Sequence, residues 1–353
     1  MARRALTDDQ LAVVQAAKSA LQRSFVDARP VRIGCSGGAD SMALTAACAH
    51  LVGREFLGLP VEVVVVDHGL QAGSAELAAD VVKRCEPLGL SARAVRVAVD
   101  VHSSLGMEAA ARAARYAALT APFEPLLGRV EQESSEALDA GFEVAASGSF
   151  EGDLLIAHSL DDQAETVLLG LARGSGTRSL AGMAPLGWLD STRVIRPLLG
   201  LRRQTLRRAA EAWDLEIWDD PHNQLDDFAR VRVRNVVLPT MVDQLGAQVV
   251  AALARTAELA RADADTLDAQ AADACPDPLP TRLPITDLRG RPPAIASRIV
   301  RRWLTAQGVL EPSAGHIAAV MSLVVDWRGQ TGVDMPGGIR VLRRDDALVT
   351  QIL

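Results

Sequence analysis

The segment "VEVVVVD" at residues 61–67 restricts the fold of this chain more than any other stretch. It is almost continuously apolar and rich in β-branched side chains, which is typical of a strand buried on both faces of a sheet. A strand of that kind needs helices packed against both sides of its sheet. The segment therefore indicates a parallel sheet in a protein of the α/β class.

Strands and helices alternate through the first 220 residues. The predicted strands cover residues 31–35, 61–67, 92–99, 153–159 and 192–199, and the predicted helices cover residues 41–52, 74–89, 107–120, 161–172 and 203–214. This order predicts a Rossmann-like parallel sheet with helices on both faces. Ligands of such sheets bind outside the carboxyl ends of the strands, and the polar motifs of this chain lie at such ends.

Two domains are predicted, one at residues 1–225 and a smaller, mainly helical one at residues 226–353. The segment 121–152 is longer than an ordinary connection, and we interpret it as a surface loop inserted into the first domain. The second domain is predicted to contain an Ala-rich amphipathic helix at 240–270, a Pro-rich joint at 275–284, a helical region at 292–325 and a terminal β-hairpin.

Composition and net charge indicate the class of protein and bear on whether it has a large nucleic-acid surface. The hydrophobic share of 49% and the charged share of 23% are ordinary for a soluble globular protein. The net charge of −7 argues against a large nucleic-acid surface, although nine arginines lie between residues 193 and 234, where ion pairs on helix faces are the alternative explanation.

The spacing of the cysteines and the length of the apolar runs argue against disulfide-rich, metal-cluster and membrane-spanning classes of protein. Four scattered cysteines without a C-x-x-C pair do not fit a disulfide framework, a zinc ribbon or an iron–sulfur cluster, and Cys35 and Cys48 are predicted to be packed thiols. There is no signal-peptide pattern, and no apolar run approaches about 18 residues, so a cytoplasmic protein without a membrane partner is predicted.

The first chemical motif is "SGGADS" at residues 36–41, directly after the first predicted strand. Its two glycines allow a sharp turn that presents backbone N–H groups to an anion, and Ser41 opens a helix whose N-terminus favours negative charge. The loop lacks the Lys-Ser/Thr ending of a Walker A motif. Asp40 would repel a phosphate unless Mg²⁺ bridged the two. A capped strand-to-helix turn is the structural alternative.

The second motif, "VVDHGL" at residues 65–70, places Asp67 and His68 where the buried strand ends. Turn chemistry with a capping Asp is one explanation. The other is a polar group that faces the same crevice as the first loop.

The third motif is "AHSLDDQAET" at residues 157–166. His158 leaves a strand, and Asp162 and Glu165 are three residues apart on one face of the next helix. A capping box with Asp162 at the N-cap would explain these two acids but not His158 or Asp161. Paired carboxylates suit a cationic amine, a metal, or proton removal from a nucleophile.

The fourth group is basic. Arg112 and Arg115 lie on the predicted helix 107–120, where pairing with Glu108 is the structural alternative. Arginines also follow the Asp-Pro turn at 220–221, where they could hold nucleotide phosphates or an RNA backbone: Arg230, Arg232 and Arg234.

Taken in order, these motifs resemble the N-type ATP pyrophosphatases, whose signature is Ser-Gly-Gly-x-Asp-Ser, and within them the tRNA(Ile)-lysidine synthetases. The resemblance covers residues 30–240 and includes "SGGADS", "VDHGL", "EAAARAARY", "AHSLDDQAETVLLGLARGSG", "RPLL" and "DDPHN…ARVRVRN". It implies an adenine nucleotide alpha hydrolase-like fold. It also implies that ATP adenylates the C2 oxygen of the wobble cytidine in a tRNA-Ile with a CAU anticodon, after which free L-lysine displaces AMP.

The resemblance implies a role for each motif. The loop would bind ATP through Ser36, Gly37, Gly38, Ala39, Asp40 and Ser41, with Asp67 and His68 nearby and Asp40 on a Mg²⁺ ion. Asp162 and Glu165 would bind the lysine amine, with Asp162 as the proton acceptor. His158, Arg112 and Arg115 would lie beside the adenylate. Arg230, Arg232 and Arg234 would meet tRNA, and the second domain would read the tRNA body.

Three features depart from the family pattern. Ser159 stands where many relatives carry a second His, and His222 replaces the usual Ser or Thr before Asn223. The segment 121–152 lies between motifs that must converge, as a lid or as an inert loop. The oligomeric state is open, with a homodimer as one candidate.

Other functions were weighed against this one. A tRNA 2-thiocytidine synthetase needs cysteines grouped around an iron–sulfur cluster, and a GMP synthetase-like amidotransferase needs a glutaminase segment. A non-catalytic nucleotide- or tRNA-binding relative predicts loss of some of the reactive side chains, yet Asp40, His158, Asp162 and Glu165 are all present.

Overall fold

A computed structural model of the chain describes residues 5–54, 56, 58–71, 73–100, 107–122, 150–174, 176–218, 229–275, 277–310 and 312–353. These residues separate into two units, Met1–Gln163 with Ala184–Val231, and Ala164–Met183 with Arg232–Leu353. Most of the predicted insertion at 121–152 lies outside the described residues, as does the predicted domain boundary at 225.

The first unit is built on a six-stranded sheet in the order β3-β2-β1-β4-β6-β5. Its strands are β1 (Val31–Gly34), β2 (Val61–Asp67), β3 (Ser91–Arg96), β4 (Asp153–Ile156), β5 (Leu186–Leu189) and β6 (Thr192–Ile195). The pairings from β3 through β6 are parallel, which confirms the predicted Rossmann-like sheet. The edge strand β5, which was not predicted, pairs antiparallel with β6.

The helices are α1 (Asp8–Val26), α2 (Ala39–Val52), α3 (Ser74–Cys85), α4 (Met107–Leu119), α5 (Leu160–Arg173), α6 (Thr177–Leu180), α7 (Arg203–Ala212), α8 (Ala229–Arg232), α9 (Leu238–Leu245), α10 (Gln248–Ala274), α11 (Pro293–Ala306) and α12 (Ala314–Val325). Short 3₁₀ turns cover Glu86–Leu88 and Ile285–Asp287, and a π-helical turn covers Val233–Val237.

Alternate side chains of β2 enter separate hydrophobic cores. Val63 and Val65 pack in one core with residues of α1, α2 and α7, whereas Val64 packs in another with Leu119 of α4. Because successive strand residues point to opposite faces, the sheet is covered on both sides. The prediction drawn from "VEVVVVD" is therefore confirmed, and Cys35 and Cys48 are confirmed as buried free thiols.

Four parallel strands end earlier than predicted. The predicted ends at residues 35, 99, 159 and 199 become Gly34, Arg96, Ile156 and Ile195. After β4 and β6 the apolar pattern continues because residues of the following loops pack into the core. For example, Leu198 is fully buried although it lies outside β6.

In the second unit, the predicted single helix at 240–270 is wrong at its N-terminal end. Gly246 has a φ of +89°, a conformation that favours glycine, and it separates α9 from α10. The helical region at 292–325 likewise consists of α11 and α12, the latter opened by a capping box between Ser313 and His316.

The predicted hairpin at the end of the chain is confirmed as part of a larger sheet. A four-stranded antiparallel sheet has the order β7-β10-β9-β8, with β7 (Leu283–Pro284), β8 (Val333–Met335), β9 (Ile339–Arg344) and β10 (Ala347–Ile352). Among the described helices, none is by itself long and apolar enough to cross a membrane. Only the segments Ala229–Leu245 and Gln248–Ala274, which meet at a bend of 107°, reach that length and composition together.

A buried ion pair anchors the start of β4. Asp153 is 0% exposed, and Arg193 of β6 donates from Nε and Nη2 to its two carboxylate oxygens at 2.8 and 2.7 Å. Arg29, which precedes β1, donates from Nε to the same carboxylate at 3.1 Å. The charge of Asp153 is thus shared between two guanidinium groups across three neighbouring strands of the sheet.

We predict that Asp153→Asn destabilises the first unit by about 3 kcal/mol or more, because it removes the buried counter-charge of Arg193 and leaves this arginine with the exposed Asp27 as its acidic partner. Urea unfolding would measure the change. Asp80→Asn is the matched control, because Asp80 pairs with Lys83 on the exposed face of α3; it should cost less than about 0.5 kcal/mol. Equal losses in the two variants would contradict the prediction.

Candidate active site

The loop at residues 36–41 connects β1 to α2 and turns on glycine. Gly37 has a φ of +79°, and a Cβ placed there would lie 2.5 Å from Cγ2 of Val81 on α3. Both the backbone conformation and the space therefore require glycine at this position. Gly38 is the extended N-cap of α2, so the first N–H groups of this helix point out of the turn.

Hydrogen bonds hold the loop closed on itself. Ser41 Oγ accepts from the backbone N of Ser36 at 3.1 Å, and it donates to the carbonyl of Gly38 at 3.0 Å. The backbone N of Trp218 donates to the carbonyl of Gly37 at 3.0 Å. The loop is therefore preorganised around a helix N-terminus, which is an arrangement that binds phosphate.

The second motif meets the basic helix α4. Asp67 Oδ1 accepts from the backbone N of Gly69 at 2.9 Å, which is the turn chemistry expected of that residue. Arg115 Nε lies 3.2 Å from Nε2 of His68 and donates to it. Burial lowers the pKa of His68, and the positive charge of Arg115 adds to the effect. His68 is therefore a neutral imidazole that contacts a guanidinium.

His158 lies between the carboxyl ends of two parallel strands. The register pairs Leu155 with Ile195, so His158 follows the end of β4 and Arg196 follows the neighbouring end of β6. The side chain of Arg196 is fixed by a hydrogen bond from Nη1 to the carbonyl of Ala184 at 2.8 Å.

Burial lowers the pKa of His158 to about 4. The Asp162 carboxylate opposes this shift, whereas the positive charges of Arg196, Arg112 and Arg230 add to it. His158 is therefore neutral at physiological pH and lies in an electropositive surrounding. Its Nδ1 is buried without a hydrogen-bond partner among the described residues.

Helix α5 begins at Leu160, two residues before the N-cap considered in the sequence. Ser159 Oγ accepts from the backbone N of Asp162 at 3.3 Å, and Asp162 Oδ2 accepts from the backbone N of Ser159 at 2.8 Å. The capping box is thus Ser159 with Asp162, and the alternative box of Asp162 with Glu165 is not formed. Ser159 Oγ also donates to Asp162 Oδ2 at 2.7 Å, so this residue orients Asp162.

Asp161 ties the start of α5 to the start of α7. It accepts from the backbone N of Arg203 at 2.8 Å and from Arg202 Nη2 at 3.1 Å. A carboxylate on the first N–H groups of a helix acts as a cap supplied from another element. Asp161 therefore fixes the backbone position of Arg203.

Arg203 joins two of the predicted site acids. Its Nη2 donates to Asp162 Oδ1 at 2.7 Å, and its Nε lies 3.7 Å from Asp40 Oδ2. The loop acid and the α5 acid are thus brought to one guanidinium. Arg203, Arg202 and Arg196 were not predicted as site residues, because only their long-range partners distinguish them from other arginines.

In the second unit, Glu165 is fully buried in α5 and pairs with Arg234. Arg234 donates from Nε to Glu165 Oε1 at 2.8 Å and from Nη2 to Oε2 at 3.0 Å. Two residues predicted for different tasks, lysine binding and RNA binding, are therefore partners of each other. Arg232 is exposed at the end of α8.

Arg230 and Arg112 lie in the first unit. Arg230 is half-buried at α8, and Arg112 is exposed on α4 with its guanidinium 5.1 Å from the ring of Tyr116. The turn that contains His222 and Asn223 lies outside the described residues.

A Ser-Gly-Gly-x-Asp-Ser loop at the carboxyl edge of a parallel sheet is typical of PP-loop ATP-utilising enzymes. The PP-loop domain family model matches residues 10–126 and 143–241. A tRNA(Ile)-lysidine synthase from Leifsonia xyli is 43% identical over 324 residues, which cover 90% of this chain and 88% of that protein. The chain belongs to the tRNA(Ile)-lysidine synthase family, a family of ATP-utilising ligases.

A second family model and further curated relatives agree with this assignment. The model of the TilS substrate binding domain matches residues 283–349. Relatives with the same name from Salinispora arenicola and Mycobacterium tuberculosis are 43% and 40% identical and cover 94% and 97% of this chain, and 94% and 98% of their own length. A solved U34-tRNA thiolase NcsA from Methanococcus maripaludis aligns at 18% identity with a TM-score of 0.47, covering 70% of this chain and 80% of that one.

We predict that Gly37→Ala weakens ATP binding about 10-fold or more, because an alanine at φ +79° is strained and its Cβ collides with Val81. Titration of ATP by calorimetry would measure the loss. Gly58→Ala is the control, because nothing lies within 4 Å of a Cβ at that position. Normal ATP affinity in the Gly37 variant would show that the loop does not need this turn.

We also predict a pH-dependent effect of His158 on stability. Its pKa is 6.5 before folding and about 4 after folding, so the unfolded chain binds more protons between these values and stability rises with pH through that window. On lowering the pH from 7.5 to 5.5, the wild-type chain should lose on the order of 1 kcal/mol more than His158→Asn. Parallel urea unfolding curves at each pH would detect the difference, and identical pH dependence in both chains would refute it.

Proposed function

We propose that this chain converts the wobble cytidine of a tRNA-Ile with a CAU anticodon into lysidine, using ATP and free L-lysine. Family membership supports the reaction type. The observation that carries the proposal is the meeting of the nucleotide-loop acid Asp40 and the α5 acid Asp162 at one guanidinium, that of Arg203. Nucleotide chemistry and amine chemistry can then proceed side by side at one edge of the sheet.

In the first step, the C2 oxygen of the cytidine attacks the α-phosphorus of ATP, and pyrophosphate leaves. The loop at residues 36–41 binds the departing pyrophosphate through backbone N–H groups and the N-terminus of α2. Arg112 and Arg115 balance negative charge beside the nucleotide, close to Asp67 and His68. A γ-phosphate is not cleaved here, so the lysine of a Walker A loop has no task.

In the second step, the ε-amine of lysine attacks C2, and the bond from C2 to the adenylate oxygen breaks with release of AMP. An ammonium ion has no free electron pair, so a carboxylate must take its proton first. Asp162 is the proposed acceptor, and Glu165 is proposed to bind the amine. His158 is neutral, so its role is a hydrogen bond beside the adenylate rather than proton delivery.

Mg²⁺ is the proposed companion of ATP, and Asp40 fits a site for it. Asp40 lies in the first turn of α2 beside the phosphate loop, and no group of three or more metal-ligating side chains occurs among the described residues. A lone carboxylate suits Mg²⁺, which usually completes its shell with phosphate oxygens and water. When bound, the ion neutralises phosphate charge and improves pyrophosphate as a leaving group.

The tRNA is proposed to contact both units, with Arg230, Arg232 and Arg234 near the anticodon stem or the phosphates and the second domain on the tRNA body. Residues 283–349 carry nine arginines and six acidic residues, a net charge of +3 within a chain of net charge −7. Such a local excess favours a polyanion. We also propose that the reaction takes place in the cytoplasm. A homodimer is one candidate for the oligomeric state, and light scattering would measure it.

The direct test incubates the protein with the unmodified CAU tRNA, labelled lysine and ATP. Label should enter the tRNA only when ATP is present, and pyrophosphate release should require the tRNA. Transfer of label to an elongator tRNA-Met with equal efficiency, or no transfer at all, would refute the proposal.

We predict that Asp162→Asn blocks lysine transfer while pyrophosphate release continues, because the amide cannot take a proton from the amine. A loss of about 100-fold to 10,000-fold in transfer is expected. The two rates are measured separately by labelled lysine and by a pyrophosphate assay. Glu211→Gln, which alters an exposed acid on α7, is the control and should leave both rates unchanged.

A further inference from the structure

We infer that Arg203 is a positioning residue for both half-reactions, holding the nucleotide-loop acid and the amine-binding acid at a common counter-charge. This inference rests on the proposed function, because it takes the roles of Asp40 and Asp162 from there. It adds Arg203 to these two acids, with the task of positioning the acids relative to each other rather than binding a substrate.

The backbone position of Arg203 is fixed by contacts that do not involve its side chain. It is the first residue of α7, and its backbone N donates to Asp161 Oδ2 at 2.8 Å. Arg202 adds hydrogen bonds from Nε and Nη2 to the same carboxylate. The start of α7 is therefore tied to the start of α5, and the reach of the Arg203 side chain is set by the backbone.

The Arg203 guanidinium lies close to one acid from each of two motifs, Asp162 and Asp40. Nη2 bonds Asp162 Oδ1 at 2.7 Å, and Nε faces Asp40 Oδ2 at 3.7 Å. Ser159 holds the other oxygen of Asp162 from its backbone N and its hydroxyl at 2.8 and 2.7 Å. Asp162 is thus oriented from both oxygens, and Arg203 is the one of these contacts that also reaches the phosphate loop.

Charge explains why this residue should be arginine. Two carboxylates close to one cation repel each other less than they would alone, and a guanidinium stays charged at every accessible pH. Its planar fork can address two acids in different directions, whereas a lysine ammonium is a single point charge.

The test compares Arg203→Ala and Arg203→Lys with wild type in both half-reactions. Loss of orientation in an active site costs about 100-fold, so Arg203→Ala should slow pyrophosphate release and lysine transfer by about that factor each. Arg203→Lys should slow both to a smaller extent. Arg207→Ala, one turn further along α7 in an exposed pair with Glu211, should change neither.

Chemical rescue separates positioning from folding. Guanidinium chloride at low, non-denaturing concentration should restore both half-reactions of Arg203→Ala at least in part, and sodium chloride of equal concentration should not. If Arg203→Ala does not fold, the parallel loss of both rates in Arg203→Lys carries the test. Loss confined to one half-reaction, or no response to guanidinium in a folded variant, would overturn the inference.

The same assays distinguish this inference from the proposed function. If Asp40→Asn slows pyrophosphate release and Asp162→Asn blocks transfer, the proposed roles stand, and the Arg203 variants decide the further inference alone. If neither Asp variant affects its step, the proposed roles of these acids fail, and the inference about Arg203 fails with them.

Discussion

The parallel pairing of β1 with both β2 and β4 is the constraint on which the rest of the first unit depends. Val31 is in register with Val61 on one side and with Asp153 on the other. Because these strands and β6 run in one direction, their carboxyl ends open at the same edge of the sheet. Segments that are far apart in the sequence therefore meet there: the phosphate loop, the Asp67–His68 turn, the start of α5 and the start of α7. The sheet, rather than any local pattern, assembles the site.

Pairs of an arginine with a predicted site acid recur in both units. Asp161 is held by Arg202, Asp162 by Arg203 and Glu165 by Arg234. A guanidinium fixes the direction of a carboxylate through charge-assisted hydrogen bonds. A cationic ligand that approaches any of these acids meets a carboxylate already engaged by a cation.

The sequence predicts β2 with its observed bounds because an apolar, β-branched run has few other uses. It predicts the ends of β4 and β6 poorly, since the chain stays apolar after it leaves the sheet; Leu198 is an example. Ser159 was considered only as a departure from a family pattern, yet the Ser-Leu-Asp-Asp order is itself a capping-box signal. Arg203 could not be found in this way, because its partner Asp162 is 41 residues away and neighbouring arginines look the same in sequence.

The bond from the backbone N of Trp218 to the carbonyl of Gly37 has a consequence for how such chains can vary. It joins main chain to main chain, so it places no demand on the side chain at position 218, and only proline is excluded there. The bond does, however, depend on the length of the segment between α7 and residue 218. An insertion or deletion within residues 213–217 would displace the donor and so reach the phosphate loop. The bond therefore tolerates a change of side chain at position 218, whereas it does not tolerate a change in the length of the segment before it.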